Sequence, residues 1–353
     1  MNELIATVDR FFKTEVAPRV ARIDEFPAAA SPVPVCDLLS GLGVPGVRGG
    51  TVTDISTPDL VEMLWTMSGY CAGVAAHAAF AIAARMVVGR LGLPLDGAPI
   101  ALALHEDREL FPGDGGIDVG ARVHEDGRVT GLKRSVPLAP CARALLVLAR
   151  REIGLCLAIV KPGDGVEIGP PVALLGVRAV QCADVTLSGA PIVACAAIPE
   201  RNIVHPLGVL ALFTAACASG TAAAAVDEAS RRAEEHRRAN GSTARDESVA
   251  LSLERHRAAL RSARAAILEA ANGLSPTDGR SWMACLRAKI ATSQVAIDAA
   301  LGAVRALGEG GWAHELGLEK RVRDATALGL LPIDRQRLAL VCADVDRPAP
   351  AQR

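Results

Sequence analysis

The spacing of apolar residues changes twice along this chain, and each change marks a region that must fold by a different rule. Up to about residue 95, LIATVDRFFKTEVAPRV and, after the glycine pair Gly49-Gly50, DLVEMLW and AAFAIAARMVVGRLG place apolar side chains at helical spacing. From Ile100 to about Ile198 the pattern breaks into short apolar runs separated by glycine and proline: ALALHE, VTGLKRSV, ALLVLARR, GLCLAIV and ADVTLSG. In the last of these Ala183, Val185 and Leu187 alternate with Asp184, Thr186 and Ser188, as a half-buried strand requires. From Leu207 to about Val345 helical spacing returns, with Val249, Leu253, His256, Leu260, Ala263 and Ile267 on one series. Met283, Leu286, Ile290, Ile297, Leu301 and Val304 form another. The predicted class is α+β: a helical domain over 1–97, a β-domain over 98–200 and a helical bundle over 201–353.

Length and composition narrow the function classes. A chain of 353 residues is larger than one core usually serves. Half its residues are hydrophobic but only 3% are aromatic, so helices must approach closely on small side chains such as Ala222 to Ala225. With 38 basic and 39 acidic residues there is no field to collect nucleic acid or anionic lipid. The nine cysteines are scattered without CxxC spacing, which argues against a disulfide framework and a zinc site and suits a reducing cytoplasm. Two charge-free stretches, Leu64 to Ala84 and Ile203 to Val226, are rich in Ala, Gly, Ser and Thr and are expected to be buried helices, not membrane spans. The charged series Glu254, Arg255, Arg257, Arg261 and Arg264 is expected to be a solvated helix face.

Several segments, in order, resemble the acyl-CoA dehydrogenase family. They are LLSGLGVPGV (Leu38 to Val47), GVAAHAAFA around His77, and LGVRAVQCADVTLSGAPIV (Leu175 to Val193) with Gly176 and Arg178 of a Gly-x-Arg-x-Ser segment. AAAAVDEASRRAEEHRRANG (Ala222 to Gly241), QVAIDAALGAVRALGEGGW (Gln294 to Trp312) and EKRVRDA (Glu319 to Ala325) follow. The resemblance implies an N-terminal all-α domain, a middle β-barrel or sandwich and a C-terminal four-helix bundle. It also implies an FAD-dependent oxidation of an acyl thioester, in which a carboxylate removes the α-proton and a hydride passes to flavin.

The residues that would carry that chemistry are replaced. Counting from Arg323-Asp324-Ala325, the family's Tyr-Glu-Gly-Thr run falls on Leu331-Pro332-Ile333-Asp334, so the base position is Pro332. The alternative base position early in the long bundle helix holds Leu210 and Ala211. At the flavin positions the resemblance places His105-Glu106-Asp107-Arg108, then Ser135-Val136-Pro137 for Trp-Ile-Thr. It places His236 or Arg237 for a pyrophosphate arginine, Arg305 for a glutamine and Glu309 for a glycine. Glu106, His105 and Asp334 are the candidates left for acid or base chemistry, and no metal set is spaced for ligation. Three readings follow: a non-catalytic subunit oligomerised with an active acyl-CoA dehydrogenase-like chain, an enzyme repurposed to flavin-independent chemistry in the old acyl pocket, or a divergent FAD enzyme.

Overall fold

The structure, a computed structural model, describes residues 2–25, 35–40, 42, 55–94, 99–107, 118–198, 204–241, 244–275, 279–312, 317–333 and 335–346. Helix α1 (Asn2–Phe11) runs through a π-helical turn and a 3-10 turn carrying Pro18 into α2 (Val20–Asp24). After α3 (Val35–Ser40) come α4 (Thr57–Tyr70) and α5 (Ala72–Arg90). Ser56 caps α4 by accepting from the Asp59 N–H at 3.3 Å. The charge-free stretch Leu64 to Ala84 is split at Cys71, whose extended backbone separates α4 from α5. Almost every residue of α5 is buried, so its apolar side chains face protein in all directions.

The middle strands are β1 (Ile100–Ala103), β2 (Arg122–Val123), β3 (Arg128–Val136), β4 (Ala144–Arg150), β5 (Leu155–Val160), β6 (Val166–Pro171) and β7 (Ala183–Ile198). β1 runs parallel to β4, β4 pairs antiparallel with β5, β5 with β7, β7 with β3 and β3 with β2. Arg122 of β2 then meets Arg150 of β4, which closes the ring into a barrel. β6 pairs with the first half of β7. Along β7 the expected alternation holds, with Ala183, Val185 and Leu187 buried.

The C-terminal bundle consists of α6 (Val204–Asn240), α7 (Ala244–Asn272), α8 (Gly279–Leu307) and α9 (Leu318–Leu330), followed by α10 (Arg335–Asp346). α6 is its axis and packs on α4, α5, α7, α8 and α9. At Gly220 a Cβ would lie 2.4 Å from the Trp65 carbonyl oxygen, so glycine is what lets α4 and α6 approach. Three helices, Ala72–Arg90, Leu207–Asn240 and Arg280–Leu307, have the length and apolarity of membrane spans; in the first two, 89% of the most apolar window is buried against protein.

Of two helix faces read in sequence, one holds and one differs. On α7, Leu253, Leu260, Ala263 and Ile267 are buried as expected, and in the charged series Glu254, Arg255, Arg261 and Arg264 are exposed while Arg257 is half-buried. Arg257 pairs with Asp227 of α6 at 3.0 Å, and Arg264 pairs with Glu62 of α4 and lies over the Trp65 ring at 5.3 Å. On α8 the centre of the buried face is Cys285, Lys289, Ser293, Ala296 and Ala300, while Ile290, Ile297 and Leu301 are only half-buried. Small residues win the innermost position because α6 and α8 lie close together, and branched side chains fit better at the flanks.

Candidate functional site

The two ends of α9 organise the Arg323-Asp324 signature and the segment where the acyl-CoA dehydrogenase pattern expects its base. At its first half, the Asp324 carboxylate accepts from the Val177 N–H at 2.6 Å and pairs with Lys320 at 2.5 Å. Arg323 bonds Asp24 at 2.6 Å, Glu319 at 2.8 Å and the Leu175 carbonyl at 3.0 Å. Arg178 donates to the Asp24 carbonyl at 2.8 Å. Burial works against the Lys320 charge, yet Asp324, with Cys71 and Asp24, holds its pKa above the usual lysine value. A Cβ on Gly176 would lie 2.4 Å from the Arg323 carbonyl oxygen, so the two signature segments Gly176–Arg178 and Arg323–Asp324 touch backbone to backbone. His77 reaches the same junction through its Nδ1, 3.1 Å from the Ala179 carbonyl.

The other end of α9 leads into Leu331 and Pro332. The last carbonyls of a helix have no partner within it, and here two other helices supply one. Lys289 of α8 donates to the Leu328 carbonyl at 2.5 Å. Thr214 of α6 donates to the Leu331 carbonyl at 3.1 Å, while also reaching the Leu210 carbonyl in its own helix at 2.8 Å. The His105 ring, just beyond β1, comes up against the Pro332 carbonyl. The chain leaving α9 is thereby fastened to the bundle and lies against the barrel. Lys289 is 0% exposed, and burial pulls its pKa down to about 7 against an opposing pull from the Cys217 thiol, itself pushed up to about 12 by burial. Burial, then Lys133, lowers the pKa of His105, and the Pro332 carbonyl only partly compensates.

His105, Glu106 and Asp107 do come together, as parts of the barrel's framework. The Glu106 carboxylate accepts from the Gly120 N–H at 2.5 Å, the Ala121 N–H at 3.0 Å and Lys133 Nζ at 2.6 Å. Lys133 is 0% exposed, and burial lowers its pKa although Glu106 raises it. Asp107 takes two bonds from Arg134 at 2.7 and 2.8 Å, and the same guanidinium reaches Asp184 at 2.6 Å. A carboxylate held by three donors locks the strands around it and has little capacity left as a mobile base. Asp334 lies outside the described residues. Among the described residues no three His, Cys, Asp or Glu side chains converge as metal ligands would.

Residues 201–331 match the family described as acyl-CoA dehydrogenase, C-terminal domain. Butyryl-CoA dehydrogenase from Megasphaera elsdenii superposes with a TM-score of 0.80 at 18% identity, over 98% of this chain and 97% of that one. The chain has the acyl-CoA dehydrogenase fold. Glutaryl-CoA dehydrogenase from Mycobacterium smegmatis superposes at 0.78 with 15% identity, over 100% and 95% of the two chains. TdsC from Paenibacillus sp. A11-2, solved with FMN and indole, does so at 0.78 with 18% identity, over 99% of each. Among curated proteins no sequence matches it.

The positions that the acyl-CoA dehydrogenase pattern assigns to flavin do not fit the cofactor. An isoalloxazine needs hydrogen-bond donors along its edge and a stacking face. Ser135 sits at a break in the β3–β7 register with φ of 46°, and its N–H is already given to Asp184 at 2.8 Å. Pro137 is buried and has neither an N–H nor a hydroxyl. Farther along, Arg237 is bonded to Glu234 at 2.8 Å, and Arg305 and Glu309 are exposed.

Two functional-looking residues escape the sequence pattern. Lys133 occupies an inward position of β3, two residues after Gly131 and four after Val129, and alternation alone points it into the barrel. Lys289 stands one turn after Cys285 and Leu286 on the buried face of α8, where a charged residue breaks the apolar series.

Proposed function

We propose that this chain is the non-catalytic subunit of a heteromeric FAD-dependent acyl-CoA dehydrogenase, acting in the cytoplasm with a partner chain that keeps the catalytic glutamate. One observation carries the reading. The segment after α9, where the acyl-CoA dehydrogenase pattern expects a carboxylate, instead presents Pro332; Thr214 bonds its Leu331 carbonyl, and Lys289 bonds the Leu328 carbonyl in the last turn of α9 just before it. A segment held in that way serves rigidity, and a rigid, base-free copy of the fold suits the structural half of a pair.

The test is co-expression with an acyl-CoA dehydrogenase-like chain that retains the Tyr-Glu-Gly-Thr glutamate, reading native mass and flavin absorbance. The expected result is a colourless protein when expressed alone and a stoichiometric, flavin-containing complex with the partner. Flavin bound by this chain alone, or turnover of an acyl thioester by it alone, would overturn the reading.

A further inference from the structure

We infer that the cavity between the N-terminal helices and the first half of α9 is a binding site for a small organic carboxylate anchored on Arg321. The cavity has a volume of about 580 Å³ and is walled by the turn before α2, by the α4–α5 junction at Gly69 and Tyr70, by Thr221 of α6 and by α9. That volume falls within the range of small-molecule pockets. It lies at the opposite end of α9 from Pro332, so the inference does not rest on the subunit reading.

Four carboxylates, Asp24, Glu25, Glu319 and Asp324, line the cavity with four cations, Arg178, Lys320, Arg321 and Arg323. Asp24 and Glu319 are engaged by Arg323, and Asp324 by Lys320. Arg321 donates to the Gly69 carbonyl at 2.9 Å and reaches the Thr221 hydroxyl at 3.5 Å, both uncharged acceptors. Among the described residues no carboxylate forms an ion pair with it. Burial pulls its pKa down, and the pull of Asp324, Cys71 and Glu228 does not restore it. Arg321 is half-buried and bonded to uncharged acceptors, so its guanidinium keeps donors for an anion in the open space beside it.

The lining also selects the kind of anion. A phosphate would bring two charges beside the four carboxylates of the wall, Asp24, Glu25, Glu319 and Asp324. A monocarboxylate brings one, in the planar form that a guanidinium fork matches. Ala17, Val20, Ala21 and Ala72 on the same walls suit a short hydrocarbon body. Glu25, also on the wall, is exposed to water.

Isothermal titration of the full chain with sodium butyrate, at ionic strength held by sodium chloride, tests the site, with sodium phosphate and butylamine as controls. Saturable butyrate binding is expected, weaker by about tenfold in Arg321→Gln and partly restored in Arg321→Lys. If Arg321→Gln does not fold, Arg321→Lys alone decides, since loss of the fork should weaken butyrate measurably. No saturable butyrate binding, unchanged affinity in the variants, or tighter binding of phosphate or butylamine than of butyrate would each overturn the inference.

Discussion

The two ends of α9 sit in one short helix and behave in opposite ways. At the first half, Arg323 and Asp324 keep the identities that the family resemblance implies and interlock with Gly176, Val177 and Asp24. At the last turn, the expected acid is gone, and side chains from α6 and α8 hold bare carbonyls. The difference separates two demands that one motif usually meets together. Charged groups at the junction are satisfied by one another, so replacing any of them strands a buried partner. The exit needs only that its carbonyls be capped, and any donor of the right reach can do that. Under the proposed subunit role the second can be rewritten while the first stays fixed.

If the junction is the part that sets the fold, the largest effects belong there. Gly176→Ala would force a Cβ to within 2.4 Å of the Arg323 carbonyl oxygen and 2.8 Å of the Asp324 nitrogen. Both atoms are backbone and cannot swing aside. A loss of more than about 3 kcal/mol, read by urea unfolding, is expected. Asp324→Ala should cost about 3 kcal/mol, because it leaves Lys320 buried with only the more distant Asp24 at 3.9 Å and the Val177 N–H without an acceptor. A near-neutral result for either would remove the contrast between the ends.

At the other end the prediction changes sign. Lys289 binds a proton near pH 7 when folded and near its ordinary 10.5 when unfolded. Between those values the unfolded chain holds the extra proton, so stability should rise with pH from about 7 toward 10, and the cost of burying the charge is fully present below 7. Every tenfold drop in the proton affinity of the folded lysine corresponds to about 1.4 kcal/mol. Lys289→Met fills a similar volume without the charge. It should stabilise the protein by about 2 kcal/mol at pH 7, after allowance for the uncapped Leu328 carbonyl, with the gain shrinking by pH 10. Thermal unfolding of both proteins across that pH range checks the slope as well as the sign.

The sequence made the architecture legible because periodicity is a repeated signal. The switch from the helical series of α5 to the alternation of Ala183, Val185 and Leu187, and back to the α7 face at Leu253, Leu260 and Ile267, survives any single substitution. The site was legible only as replacement: Pro332, Ser135 and Pro137 can be counted into place, yet what they now do depends on long-range partners. Nothing near Pro332 in sequence points to His105, and nothing near Glu106 points to Lys133. Such pairings come from the barrel register and from the packing of α6, α8 and α9. The α8 face shows the same limit, since Lys289, whose partner is the Leu328 carbonyl of α9, takes the innermost position and Ile290 a flank, an order that hydrophobicity does not predict.

The smallest effect offers the finest test of the exit. The single hydroxyl proton of Thr214 is shared between a carbonyl of α6 and one of the segment after α9, at 2.8 Å to Leu210 and 3.1 Å to Leu331. Thr214→Val keeps the shape and removes the hydroxyl. The Leu210 carbonyl keeps its ordinary partner within α6, but the Leu331 carbonyl loses a donor it cannot replace from its own helix. A cost of about 1 kcal/mol is expected, together with faster amide exchange confined to the last turn of α9 and the start of α10. If exchange instead quickens at the junction around Val177, the two ends of α9 open together, and the freedom argued for the exit does not exist.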